Sequence, residues 1–326
     1  MKYMPDAIQL ANDNVCGLSC PYCASVIPGV PRNHMDLKTF KTYFDRVRDF
    51  GIKNIQLTPC CGDPLNDPDI AEKVNYIGKD AIVRMTTNLL ALEEGIAANL
   101  FASNNLELGI SVYGENAKQF KEMTNRDKFG LFINKLELLL KEMGKIKDRQ
   151  LLVFIFRFLT EKCNPAILHE EEGDTELTQL PDGALFHPVY RVIALLERSH
   201  HGVGCITRLS NNNMNRVTSS SIKPIQKDIA GTKVSGLKES SRIDYPRPYV
   251  WGDGDVTMCA MDYNKNMVIG NMNEMSLPEM FGAGSLWEEI LDERKNGLFR
   301  SVCKHCGYEE TGDPIKPYMG GNPNCF

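Results

Sequence analysis

Between residues 7 and 209 the chain alternates strand-like and helix-like stretches, and this limits the fold more than any other feature. Ala7-Ile-Gln-Leu-Ala-Asn12 alternates apolar and polar residues as a strand does. Residues 53–58, 82–86, 106–112, 151–158 and 203–209 read as further strands. Between them, 69–77, 92–101, 127–143 and 189–199 carry apolar residues at helical spacing. Repeated βα units predict a parallel sheet with right-handed crossovers. In a barrel of this kind chemistry gathers where strands end and helices begin.

Directly after the first strand comes Cys16-Gly-Leu-Ser-Cys20-Pro-Tyr-Cys23. Spacings of four and then three residues bring three thiolates to one side of a tight loop. Three thiolates hold three irons of a 4Fe–4S cluster and leave the fourth open to a non-protein ligand. Structural zinc usually takes four protein ligands, and no fourth Cys or His lies close by, His34 being the nearest. A disulfide would leave one thiol over and requires an oxidising compartment.

With the loops that follow the later strands, the chain resembles the radical S-adenosylmethionine (SAM) enzymes over nearly its whole length. Cys16, Cys20 and Cys23 match that family's cluster motif, with Tyr22 at the usual aromatic position. Cys61-Gly62-Asp63-Pro64 stands where the family commonly has Gly-Gly-Glu-Pro; Asp shortens the acidic reach, and Cys61 replaces a glycine. Thr86-Thr87-Asn88 and Ile110-Ser111-Val112-Tyr113-Gly114 end the third and fourth strands in family style, and residues 120–129 resemble the segment that follows.

The resemblance implies an α/β fold, a partial (β/α)6 TIM-type barrel, over residues 1–215. It also implies that the open iron chelates the amino and carboxylate groups of SAM. One electron, from a donor such as flavodoxin or ferredoxin, would then release methionine and a 5′-deoxyadenosyl radical that removes a substrate hydrogen. The cofactor supplies that chemistry and the protein supplies binding and aim. By the same resemblance Gly62 and Asp63 meet the SAM ammonium. Ser111 meets the ribose or carboxylate, or is an ordinary strand-end hydroxyl. Arg157 meets the carboxylate, or forms a rim salt bridge. Tyr22 stacks near the adenine, covers the cluster, or simply packs.

Composition shifts after Asn211, and residues 216–245 read as a linker or long crossover rich in Ser, Lys and Gly. In residues 246–326, Tyr249-Val-Trp-Gly-Asp-Gly-Asp-Val-Thr-Met-Cys259 suggests a hairpin ending in a cysteine. Val268-Ile-Gly-Asn271, two helical stretches at 276–281 and 287–294, and Cys303-Lys-His-Cys306 follow. The series resembles the SPASM or shorter "twitch" extension of radical SAM enzymes, a small hairpin-plus-helix module that holds auxiliary iron–sulfur clusters. A two-cluster SPASM domain has seven cysteines, whereas Cys259, Cys303, Cys306 and Cys325 are the four available here. One auxiliary cluster, of 4Fe–4S type, is therefore expected. Its fourth iron is left to Cys325, to another side chain such as Asp244, or to substrate. Zinc at Cys259, Cys303 and Cys306, completed by His305 or Cys325, is the competing reading.

Cys60 and Cys61 are consecutive on the loop expected to face SAM. Strand geometry would turn them to opposite sides, so at most one, with Cys61 as the candidate, faces substrate as a hydrogen donor. A buried structural thiol is the alternative, as it is for Cys205. Cys163 follows the fifth strand, and the acidic run 170–174 reads as a solvated loop or a cationic-substrate contact.

Eleven cysteines with no signal peptide or membrane-length apolar run point to a reducing cytoplasm and to metal, with no membrane partner. A net charge of −5 argues against a nucleic-acid partner. The residues before Ala7 leave no room for a separate leader-peptide domain. Two substrate classes follow from the resemblance: a peptide or protein side chain, or a small molecule such as a sugar or aminocyclitol that is oxidised or rearranged.

Overall fold

The structure, a computed structural model, describes residues 2–21, 23, 25, 30, 33–103, 105–114, 116–145, 247–260, 262, 264–296, 298 and 300, with the backbone of 153–158 and 202–207. In chain order it begins with β1 (Ala7–Leu10), α1 (Leu37–Phe50), β2 (Asn54–Gln56), a 3-10 turn (Pro64–Asn66), α2 (Ile70–Ile77) and β3 (Ile82–Thr87). There follow α3 (Glu94–Phe101), β4 (Leu106–Val112), α4 (Ala117–Thr124), α5 (Phe129–Gly144), β5 (Val153–Phe158) and β6 (Gly202–Thr207). The C-terminal elements are β7 (Tyr249–Val250), β8 (Asp255–Thr257), β9 (Val268–Asn271), α6 (Leu277–Phe281) and α7 (Leu286–Lys295). The expected helix at 189–199, the linker 216–245, Cys163 and the acidic run 170–174 lie outside the described residues.

The chain divides into two compact units, one of Met1–Asn14, Tyr22–Cys61 and Asn211–Phe326, the other of Val15–Pro21 and Gly62–Ser210. In the second unit β3, β4, β5 and β6 pair in that order, all parallel, as the βα alternation predicts. Leu106, Leu108, Ile110 and Val112 of β4 are buried, as are Val83, Met85 and Thr87 of β3. β4 is buried on both faces, as an interior strand of a parallel sheet is, whereas β3 buries only alternate residues. Gly109 has a packing reason: a Cβ there would come within 2.7 Å of the Thr86 hydroxyl on the neighbouring strand.

In the first unit β1 pairs parallel with β2 on one side and with β7 on the other, Gln9 opposite Tyr249 and Leu10 opposite Val250. β8 and β9 continue the sheet antiparallel. The expected C-terminal hairpin is thus present, and its first strand is hydrogen-bonded to the chain's first strand. Gly254 closes the hairpin turn with φ +94°, a conformation that favours glycine. The side chain of Asn33 fastens the turn to the end of β1. Its Oδ1 accepts from Gly252 N at 2.8 Å, and its Nδ2 donates to Asn12 O at 2.8 Å.

Two helices, α1 and α4, fall outside the stretches expected to be helical. In α1 the Asp36 side chain accepts from Thr39 N at 2.7 Å, Phe40, Tyr43, Phe44 and Val47 turn inward, and Gly51 ends the helix left-handed. Burying each such side chain contributes about 1.5–3 kcal/mol. α4 starts where Asn116 accepts from Gln119 N at 3.0 Å and stops at a left-handed Asn125. This moves the start of α5 to Phe129 and leaves Asn125–Lys128 as a junction between the two helices.

Candidate cluster and cofactor site

Within the second unit, the loop carrying Cys16 and Cys20 is held from three directions. The 124–128 junction grips its middle: Ser19 N donates to Thr124 O at 3.1 Å, Asn125 Nδ2 to Ser19 O at 3.2 Å, and Lys128 Nζ to Gly17 O at 3.2 Å. The loop that carries Asp63 grips its start, where Val15 O accepts from Asp63 N at 2.9 Å and from Asn66 Nδ2 at 3.2 Å. From the end of β3, Asn88 Nδ2 donates to Cys16 Sγ at 3.4 Å. Residues 120–129 thus have a task in this chain that sequence alone leaves unstated.

Cys16 Sγ also accepts from Leu18 N at 3.4 Å, Cys20 is buried, and Cys23 Sγ accepts from Ser25 N at 3.5 Å. Among the described residues no three Cys, His, Asp or Glu side chains converge closely enough to hold a metal ion. Metal binding releases thiol protons and would itself draw the three sulfurs together. The donor chemistry fits an iron–sulfur cluster: three thiols on one short loop, two of them already receiving N–H groups. His34 is engaged elsewhere, its Nδ1 paired with Asp13.

Asp63 is 1% exposed. Its Oδ1 accepts from Leu65 N at 3.0 Å and from the Thr87 hydroxyl at 2.8 Å, and its Oδ2 accepts from Asn88 N at 2.5 Å. Burial pushes the carboxyl up to about 6, against the pull of these hydrogen bonds. The carboxylate therefore fastens its own loop to the end of β3. Ser111 is buried near the end of β4 and stands in register with Arg157 of β5, so the two sequence-predicted SAM contacts are strand neighbours. The Arg157 side chain lies outside the described residues, as does Tyr22.

In the first unit, Cys60 and Cys61 lie in a bend beyond β2, where the alternation of a strand does not apply. Their sulfurs are 3.8 Å apart on one side, which corrects the expectation that they diverge. Asn14 Nδ2 donates to Cys61 Sγ at 3.7 Å, and the buried Tyr249 hydroxyl accepts from Cys60 N at 3.1 Å. The adjacent Cys61 thiol and burial together push the Cys60 thiol well above its ordinary value, so it keeps its proton. Burial does the same to Tyr249.

Cys259 follows β8 and is half-buried, its carbonyl accepting from Asp262 N at 3.1 Å. Asp262 is fully buried and accepts from Asn266 N at 3.0 Å and Met267 N at 2.6 Å, which closes the loop after the cysteine. Cys303, Cys306 and Cys325 lie outside the described residues. Among those described, no helix is long and apolar enough to cross a membrane.

Residues 248–307 match the SPASM family, an iron–sulfur cluster-binding domain. A GTP 3′,8-cyclase of Synechocystis sp. is 29% identical over 136 residues, 40% of this chain and 41% of that protein. The chain therefore spans about two fifths of that relative's length. Among solved structures, BtrN in complex with AdoMet and 2-DOIA superposes with a TM-score of 0.53 at 16% identity, covering 94% of this chain and 95% of that one. Streptococcus suis SuiB bound to the precursor peptide SuiA gives 0.54 at 14% identity, covering 94% and 72%. The likeness to the solved structures is one of fold, that of an open, partial α/β barrel. The chain is thus similar to radical SAM-type proteins and carries a C-terminal match to the SPASM domain.

Proposed function

We propose that this protein binds a 4Fe–4S cluster through Cys16, Cys20 and Cys23, cleaves SAM reductively, and modifies or oxidises a peptide or protein side chain. The observation that carries the reading is the joining of two loops. The segment before Cys16 and the loop of Gly62 and Asp63 are hydrogen-bonded through Val15, and both are fastened to the end of β3. When bound, the cluster and SAM would supply a 5′-deoxyadenosyl radical for hydrogen abstraction. Gly62 and Asp63 would receive the SAM ammonium. Because the Asp63 carboxylate already accepts from three groups, its second task is to hold the loop's backbone in place for that contact. Ser111 and Arg157, adjacent in register, would meet the ribose and carboxylate, with Tyr22 beside the adenine or the cluster.

An auxiliary cluster would be held by Cys259, Cys303 and Cys306, with Cys325 as the fourth ligand. Electrons would come from a flavodoxin or ferredoxin in the cytoplasm. The peptide reading is supported by the likeness to SuiB, solved with its precursor peptide. A second reading, oxidation of a small molecule, draws support from BtrN, solved with 2-DOIA, which this chain matches over nearly the full length of both. Where the reaction ends by returning a hydrogen atom to the substrate radical, Cys61 would be the donor; where it ends as an oxidation, the radical would instead lose an electron and a proton and no hydrogen atom is returned. The test is anaerobic turnover with deuterated candidate substrates. Deuterium in 5′-deoxyadenosine from a peptide encoded beside the gene supports the first reading, and transfer from a cyclitol or sugar overturns it in favour of the second.

A further inference from the structure

Asn88 is almost fully buried, and its backbone N–H and both ends of its side-chain amide have partners. Its backbone N–H goes to Asp63 Oδ2 at 2.5 Å, its Oδ1 accepts from Leu90 N at 3.0 Å, and its Nδ2 donates to Cys16 Sγ at 3.4 Å. The Leu90 contact decides which end of the amide faces the sulfur. Turned over, the amide would set its oxygen against Cys16 and two N–H groups against each other.

The turn that carries Asn88 is built to stay in place. Leu89, buried and not a glycine, sits at φ 65°, a left-handed conformation that persists only where its surroundings dictate it. Those surroundings are the Thr87 hydroxyl, which accepts from Leu89 N at 2.9 Å and donates to Asp63, and Asp63 itself, which holds Asn88 N. A buried carboxylate, a strained turn and a side-chain amide are thus connected in series, and the series ends on a cysteine sulfur.

We propose that Asn88 is a positioning residue that sets the reduction potential of the Cys16–Cys20–Cys23 cluster through its hydrogen bond to Cys16 Sγ, with Asp63 acting through Asn88. This rests on the reading of Cys16 as a cluster ligand. An N–H donated to a cluster thiolate withdraws electron density and favours the reduced state, so the potential rises. The cluster must accept one electron before SAM is cleaved, so the bond makes reduction by a biological donor easier. Because the same Asp63 loop is expected to receive SAM, anything that moves that loop is transmitted to the cluster sulfur.

The experiment is a redox titration followed by electron paramagnetic resonance, monitoring the cluster whose signal changes on addition of SAM, with iron assayed in parallel. Wild-type protein is compared with Asn88→Ala, Asn88→Asp and Asp63→Asn. Asn88→Asp keeps the shape and the acceptor for Leu90 N but replaces the donor to sulfur with an acceptor. We expect all three to retain wild-type iron and to shift the midpoint to more negative potential, in the order Asn88→Asp, Asn88→Ala, Asp63→Asn. Wild-type iron with an unchanged midpoint in both Asn88 variants overturns the proposal. So does loss of iron from both, since a bond that only tunes the sulfur is not needed to hold the metal. Wild-type protein with no SAM-responsive cluster overturns the cluster reading itself.

Discussion

The loop of Cys16 and the loop of Cys259 both follow a strand, and both present cysteine to a proposed cluster, yet they are secured in different ways. The first is fastened by segments at 63–66, at 88 and at 124–128, all within one compact unit. The second is closed locally by Asp262, and its proposed co-ligands Cys303 and Cys306 come more than forty residues later in the chain. The protein builds the first loop in advance, through hydrogen bonds that need no metal. At the second, a cluster would itself make the long-range connection. Metal should therefore matter for chemistry at the first site and for folding at the second.

The largest effect expected is on the first loop. Replacing Cys16, Cys20 and Cys23 together with Ala should reduce bound iron from about eight atoms to about four and abolish SAM cleavage, because two 4Fe–4S clusters become one. Folding should survive, since the other anchors of the loop involve no sulfur. Iron assay and quantification of 5′-deoxyadenosine check this, and unchanged iron would remove the motif from the site. Cys303→Ala should do the reverse, lowering thermal stability and product formation while leaving measurable SAM cleavage. Cys325→Ala should match Cys303→Ala in iron loss if it is the fourth ligand, and retain full iron if it is not. Zinc at this site in protein purified without oxygen would overturn the auxiliary cluster alone.

How much of this was legible in sequence follows from the same contrast. Cys16, Cys20 and Cys23 are ligands of local origin, and short spacings are visible in any single chain. The Asp63 loop was legible from its place after the second strand. Asn88's contact with sulfur was not, because a hydrogen bond between loops after different strands leaves no periodicity. Nor was the grip of Thr124, Asn125 and Lys128, although the resemblance of residues 120–129 had marked the segment. Helix α1 was legible and missed: Asp36, the Phe40, Phe44, Val47 spacing and Gly51 are ordinary start, face and stop signals. The Cys60–Cys61 pair misled because a strand argument was applied to residues beyond the strand's end.

Asp63 sharpens the comparison, since it anchors one loop without touching metal. Asp63→Ala leaves Leu65 N, Asn88 N and the Thr87 hydroxyl without an acceptor in a buried place, which should cost about 2–4 kcal/mol of stability. SAM affinity should fall as well, by roughly 1.5–3 kcal/mol if the carboxylate meets the ammonium. The pH dependence has a definite sign. A carboxyl raised from 3.8 to about 6 binds its proton more tightly folded than unfolded. Its contribution is complete below pH 3.8 and is lost as pH rises through about 6, about 3 kcal/mol in all. Asp63→Asn has no such carboxyl, so the stability of wild type relative to this variant should be greater at pH 4.5 than at pH 7, as read from urea midpoints. A constant difference would show that Asp63 is ionised throughout.

Lys128 gives the smallest effect and the finest test of redundancy. Its ammonium reaches Gly17 O from an exposed position, whereas Thr124 and Asn125 hold the adjacent Ser19 through its backbone N–H and carbonyl. An exposed contact of this kind contributes less than about 1 kcal/mol. Lys128→Met keeps the length and apolar stem but removes the donor, so iron content and thermal midpoint should change little. Asn125→Ala together with Lys128→Met removes both side-chain donors of the 124–128 junction and leaves, from that segment, only the Thr124 carbonyl contact. If the loop is fastened in advance, as the hydrogen bonds imply, the double variant should take up iron more slowly than either single variant while reaching the same final content. Equal uptake rates in all four proteins would mean that the cluster organises this loop as well, and the contrast between the two sites would disappear.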